Sequence, residues 1–185
     1  MTVRLAYHDG GLTDGVALLR KWSEADVGCV REASADPRIP QWTTVPAAFT
    51  EAAGLAFIRR QWGRLDSGEG ISLALADAAA NEAVGLIAAM LHPRWPGVAE
   101  IGYWVIPRAR GRGLATRAIR LASAWALSDA GLARVEALVE PGNSPSQRAL
   151  LAAGFRVEGV LRSFLTSNDG RRADAVVFSR VAADQ

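Results

Sequence analysis

The sequence predicts an α/β (α+β) fold in which a mixed, mostly antiparallel twisted sheet carries helices on both faces. Three observations lead there. Residues 71–75 and 83–90 are apolar segments separated by a polar turn at Asn81-Glu82, and 99–106 follows as a third, which makes an antiparallel meander. From Leu114 onward a helical period takes over: Leu114, Ala118, Leu121, Ala122 and Trp125 share one face, while Arg117 and Arg120 fall off it. Residues 133–139 then return as a strand, so strand, loop, helix and strand form a right-handed crossover between parallel neighbours.

The remaining elements carry weaker signals. Residues 24–33 predict a short helix, and 49–64 a second, with Phe49, Ala53, Ala56 or Phe57, and Arg60 or Gln61 spaced along it. The helix from Leu114 is expected to run to about Ala130. Ser144 is placed as the N-cap of a further helix, with Pro145 at the first helical position and Gln147 completing a capping box. Gly154 supplies the left-handed residue that ends this helix before Phe155.

Between the third strand and the long helix lies Arg108-Ala109-Arg110-Gly111-Arg112-Gly113-Leu114-Ala115. Gly111 and Gly113 lack the Cβ that would keep an anion off the main chain, and the helix behind them aims its unpaired N–H groups and dipole at the same spot. Such a loop suits a pyrophosphate, and Arg108, Arg110 and Arg112 add charge. No Gly-Lys-Ser/Thr ending is present, which argues against a P-loop. Gly111-x-Gly113-x-x-Thr116 is one glycine short of the dinucleotide fingerprint; with Glu136 or Glu140 as the ribose acid, a Rossmann site stays open.

A chain of 185 residues, half of them apolar, is long enough for one core, and residues 1–185 are expected to form one domain. The most apolar stretch, 73–91, is broken by Asp77, Asn81 and Glu82, so no membrane span is expected. The opening ten residues lack the apolar segment of a signal peptide, and the lone Cys29 cannot form an internal disulfide. A cytoplasmic location and an inert, buried thiol are the expectations. Formal charge is only +2, but the basic residues are almost all arginine and the isoelectric point is about 9.2. No zinc-ligand spacing, basic block or aromatic RNA-binding signature accompanies them, so no metal and no nucleic-acid-binding face is expected.

Arg-x-x-Gly-x-Gly/Ala after a strand resembles the coenzyme A loop of the GNAT N-acyltransferases. Ile101-Gly102-Tyr103-Trp104, the Asn143-x-x-Ser146 turn and Gly154-Phe155-x-x-Glu158-Gly159 are similar to the RimJ/RimL-like branch, which acetylates N-terminal amines of ribosomal proteins. Looser matches are Leu19-Arg20-Lys21-Trp22, Asp26, Asp36-Pro37-x-Ile39 and Trp42-Thr43. The resemblance implies six to seven strands with a splayed central pair, and acetyl-CoA as co-substrate. It implies CoA contacts from Trp104, Val105, Ile106, Arg108, Arg110, Gly111, Arg112, Gly113, Leu114, Ala115, Thr116, Asn143, Ser146 and Arg148. Trp42 and Trp62 are candidates to line the acceptor pocket.

Acyl transfer to an amine needs a neutral nucleophile, donors for the oxyanion and a proton for the departing thiolate. At about pH 7.4, deprotonating a lysine costs about 4 kcal/mol and an α-amine only about 0.7. The resemblance makes Glu100 the candidate base, relaying a proton through water. It places the oxyanion donor among the backbone N–H groups of 104–106, where the fold carries a bulge. Many family members use a tyrosine four residues before the Gly-Phe pair; Leu150 stands there, so Ser146 becomes the proposed proton donor, with Tyr103 in reserve. His8 and His92 receive no role. The acceptor is a small-molecule or peptide amine: a protein N-terminus, an amino acid or a small amine. A non-catalytic acyl-CoA sensor, a longer acyl-CoA donor, a tRNA-borne acyl group and a homodimer all stay open.

Overall fold

The computed structural model describes residue 3 and residues 5–184; Met1, Thr2 and Arg4 of the opening segment lie outside the described residues. Strands β1 (Leu12–Thr13) and β2 (Ala17–Arg20) precede three helices, α1 (Val27–Ala35), α2 (Arg38–Trp42) and α3 (Glu51–Asp66). The meander β3 (Gly70–Asp77), β4 (Glu82–Leu91) and β5 (Val98–Val105) follows, then α4 (Leu114–Ser128), β6 (Arg134–Val139), α5 (Ser144–Ala152), β7 (Arg156–Thr166) and β8 (Arg172–Val181). They form one eight-stranded sheet in the order β1-β2-β3-β4-β5-β6-β8-β7, antiparallel except for β5 and β6. The count exceeds the expected six to seven because the two-residue β1 joins its edge.

Strands β3 and β4 are buried almost throughout instead of alternating. That is the pattern of a sheet covered on both faces. On one face the Trp104 ring packs 6.4 Å from Phe57 of α3 and 6.2 Å from Trp22. On the other, Tyr103 reaches Ser146 at the start of α5. Adjacent residues of one strand thus mark opposite faces.

Local chemistry sets the helix ends. Thr50 Oγ1 accepts from the Ala53 N–H and caps α3, and Ser23 and Asp26 form a capping box before α1. Buried Asp26 also takes a forked pair of bonds from Arg20 at 2.8 and 2.9 Å, which offsets the cost of burying its charge. The cap of α5 differs from the expectation. Asn143, not Ser144, is the N-cap; its Oδ1 accepts from the Ser146 N–H, and Gln147 turns away to donate to the Pro141 carbonyl. On α4 the buried face includes Ile119 and Ala126, while Leu121 is only half-buried. Gly154 has φ +91°, as its terminating position requires.

The long β7-β8 hairpin folds back onto the first helices. Asn168 donates to the Pro40 and Thr43 carbonyls, and the Asp174 carboxylate accepts from the Ser163 N–H, which gives Asp174 a structural role. Glu158 receives both arms of Arg134, at 2.7 and 2.5 Å, and a hydroxyl from Ser179. The Arg134 guanidinium first, and Ser179 second, pull its pKa down to about 2. A depressed carboxylate contributes stability above its unfolded pKa, about 4.3, and that stability is lost as pH falls toward the folded value. Glu158→Gln should therefore flatten the acid limb of a Tm-against-pH curve between about pH 4.5 and 2. An unchanged limb would remove Glu158 from the acid response.

Candidate active site

Strand β5 ends at Val105, a short 3-10 turn spans Pro107–Ala109, and the chain reaches α4 through Gly111 (φ +76°) and Gly113 (φ +74°). Gly113 is the N-cap of this 15-residue helix, and among the described residues no side chain caps its first N–H groups. A Cβ built on either glycine meets nothing within 4 Å. The loop is therefore an open cradle of amides at the positive end of a helix dipole, and it fits a diphosphate. Of the residues expected to touch the cofactor, Trp104, Ile106 and Leu114 have buried side chains and offer only backbone. Ala115 and Thr116 are half-buried in the first turn, and Arg148 is exposed on α5.

The loop arginines, expected to add charge at the anion site, are each paired with carboxylates. Arg108 pairs with Glu32 at 2.9 Å and Glu82 at 2.7 Å; Arg110 pairs with Asp36 at 2.5 Å and donates to the Val105 carbonyl; Arg112 pairs with Asp77 at 2.5 Å. Burial pushes the Asp36 carboxyl up, but the Arg38 N–H and the Arg110 guanidinium outweigh it and hold the carboxyl low. These pairs tie the loop to α1, β3 and β4. They also partly neutralise the charge that the arginines present to an anion.

The two central strands fork. The parallel ladder has three pairs, Val98↔Arg134, Ala99↔Val135 and Glu100↔Glu136. Beyond it β5 follows β4 to Gly85↔Val105, and β6 follows β8 to Val139↔Val176. No bulge interrupts the β4-β5 register, contrary to expectation; the splay comes from the early end of the parallel ladder. The Ile106 N–H donates to Val84 at 2.9 Å. Because amides alternate along a strand, Tyr103 and Val105 direct theirs away from β4, into the fork. Of residues 104–106, only Val105 presents an N–H there.

Glu100 stands at the crotch of the fork beside Glu136, on the Trp104 face. Solvent still reaches its side chain through the mouth, but the surrounding protein, and secondarily the Glu136 charge, raise its pKa. Across the fork, Ser146 Oγ and Tyr103 Oη lie 2.6 Å apart, and burial pushes the Tyr103 phenol up to about 12. Leu150 is wholly buried and takes no part. In the sequence Tyr103 is only a reserve donor and Glu136 only a candidate ribose acid. The missing signal was register: nothing local shows that Glu136 faces Glu100.

The remaining candidates have partners of their own. Trp62 donates its indole N–H to the Trp22 carbonyl and braces the segment that follows β2, whereas Trp42 lies under Arg171, 5.0 Å from its ring centroid. Cys29 is buried and its thiol is pushed up by that burial, so it stays neutral. Glu136 and Glu140 are ion-paired with Arg134 and Arg171, and the sheet is mainly antiparallel, which overturns the Rossmann alternative. Among the described residues no group of His, Cys, Asp or Glu gathers as metal ligands, and no helix is long and apolar enough to cross a membrane.

Residues 17–156 match the model of the acetyltransferase (GNAT) domain. The chain belongs to the GNAT acetyltransferase family. It is 41% identical over 83 residues to the uncharacterized N-acetyltransferase YoaA of Bacillus subtilis, a match spanning 45% of this chain and 46% of that protein. It is 26% identical over 162 residues to the uncharacterized N-acetyltransferase p20 of Bacillus licheniformis, across 87% and 90% of the two chains. Among solved structures, Mycobacterium smegmatis RimJ in complex with CoA-disulfide superposes with a TM-score of 0.80 at 24% identity, covering 94% of this chain and 86% of that one. The GNAT fold thus accounts for the forked sheet and for the loop at its mouth.

Proposed function

We propose that this GNAT protein transfers an acetyl group from acetyl-CoA to a primary amine by direct attack in a ternary complex. Residues 1–185 act as one acyltransferase domain, in the cytoplasm. The observation that carries the reading is the uncapped, glycine-lined start of α4 opening beside the forked strands. The amides of residues 111–115 would hold the diphosphate, Asn143 and the open edge of β5 the pantetheine arm, and the Val105 N–H the developing charge on the carbonyl oxygen. When bound, acetyl-CoA supplies the activated acyl group. Glu100 accepts the amine proton through water, its raised pKa bringing its basicity closer to that of the amine. Ser146 donates a hydrogen bond to the departing sulfur.

The acceptor is a protein N-terminus, a free amino acid or a small amine; the resemblance to the RimJ/RimL-like branch makes α-amines the first to try. Incubation with acetyl-CoA and panels of these three classes, read by product mass, tests the function. A mass increase of one acetyl group with matching thiol release is expected. Tight CoA binding with no acylated product across all panels would favour the acyl-CoA sensor instead. A product formed only from a longer acyl-CoA would keep the fold and change the donor.

A further inference from the structure

The geometry points to Tyr103 as a positioning residue that readies the Ser146 hydroxyl to donate to the sulfur leaving the acyl donor. The inference rests on the CoA reading above and adds a partner to its weakest step. Tyr103 Oη is 2.6 Å from Ser146 Oγ and 3.3 Å from the carbonyl oxygen of the same residue. The single phenolic proton therefore has two acceptors on one residue. With it on the carbonyl, the Ser146 hydroxyl donates to Tyr103. With it on Oγ, the Ser146 proton is released to point elsewhere.

A hydroxyl that accepts one hydrogen bond donates a second more strongly, so the second arrangement suits an anionic sulfur. Switching needs only rotation of two O–H bonds. No proton leaves the phenol, so no charge is created on it; the phenol stays protonated well above neutral pH because burial holds its pKa near 12. Framework contacts fix both groups. Tyr103 is held by β5, whose register on β4 is unbroken, and Ser146 by the Asn143 cap on its own N–H at 3.3 Å. The buried Leu150 leaves the α5 side without a phenol, and β5 provides one from across the fork.

The test reads the bound thiol directly and needs no acceptor. CoA is bound to wild type, Ser146→Ala, Tyr103→Phe and the double variant, and thiolate formation is followed by ultraviolet difference absorbance as pH rises. Wild type should lower the thiol pKa relative to free CoA, and Ser146→Ala should weaken thiol acidity roughly tenfold, the scale of one hydrogen bond to a charge. Tyr103→Phe should weaken it roughly threefold, and the double variant should match Ser146→Ala. CoA affinity and Tm, measured alongside, report any merely structural damage. If Tyr103→Phe leaves the bound thiol as acidic as wild type while Ser146→Ala does not, or if the two losses simply add, the positioning role is wrong. If Ser146→Ala itself changes nothing, the Ser146 assignment fails, and if CoA does not bind, the CoA reading fails.

Discussion

Replacing Gly113 with valine is expected to reduce CoA affinity by roughly a hundredfold or more, the scale of losing two charge-assisted hydrogen bonds. A side chain at this position projects into open space at the helix start, so it would stand where a phosphate oxygen would meet the amides. Valine also dislikes φ +74°, at about 1–2 kcal/mol, so part of any effect is backbone strain. Gly68 separates the two. It has φ +73° with equally open space and lies far from the loop in sequence, between α3 and β3. Gly68→Val and Gly113→Val should lower Tm by similar amounts, about 2–8 °C, while only Gly113→Val loses CoA in calorimetric titration. Normal CoA binding by Gly113→Val would place the diphosphate elsewhere.

The second large effect concerns Glu100. Glu100→Gln should reduce kcat/KM roughly a hundredfold or more for a lysine-like amine, and roughly tenfold for an α-amine, about a quarter of which is already neutral near pH 7.4. Equal losses for the two acceptors would count against a base. Because Glu100 works deprotonated and its pKa is raised, the acid limb of the rate profile should lie above the ordinary carboxylate range. Glu136→Gln removes the neighbouring negative charge and should move that limb to lower pH. Stability runs the other way. A raised folded pKa means that the protonated form stabilises the fold below the unfolded pKa, and that this is lost as pH rises through the folded pKa. At neutral pH, Glu100→Gln should therefore be less active and show a higher Tm than wild type, the mark of a carboxylate kept against the preference of the fold.

What could be read from the chain follows from how far each signal reaches. The meander, the long helix and the glycine loop rest on periods and spacings of a few residues, and they stand where expected to within about two residues. The cap of α5 was misplaced by one position because Asn143 and Ser144 are both good cap formers, and only backbone geometry separates them. The loop arginines were legible as charges, but their carboxylate partners lie 26 to 76 positions away. The pairing of Tyr103 with Ser146 spans 43 positions, and it follows from strand register and helix docking instead of any motif. The fork, too, was expected from resemblance, with a bulge as its cause; an early end to the β5-β6 ladder does the same work.

A crystal structure of the CoA complex tests the central claim most directly. The diphosphate should lie on the main-chain N–H groups of residues 111–115, with the thiol end inside the fork near Val105 and Ser146. CoA bound at another surface, with the loop before α4 empty, would contradict it.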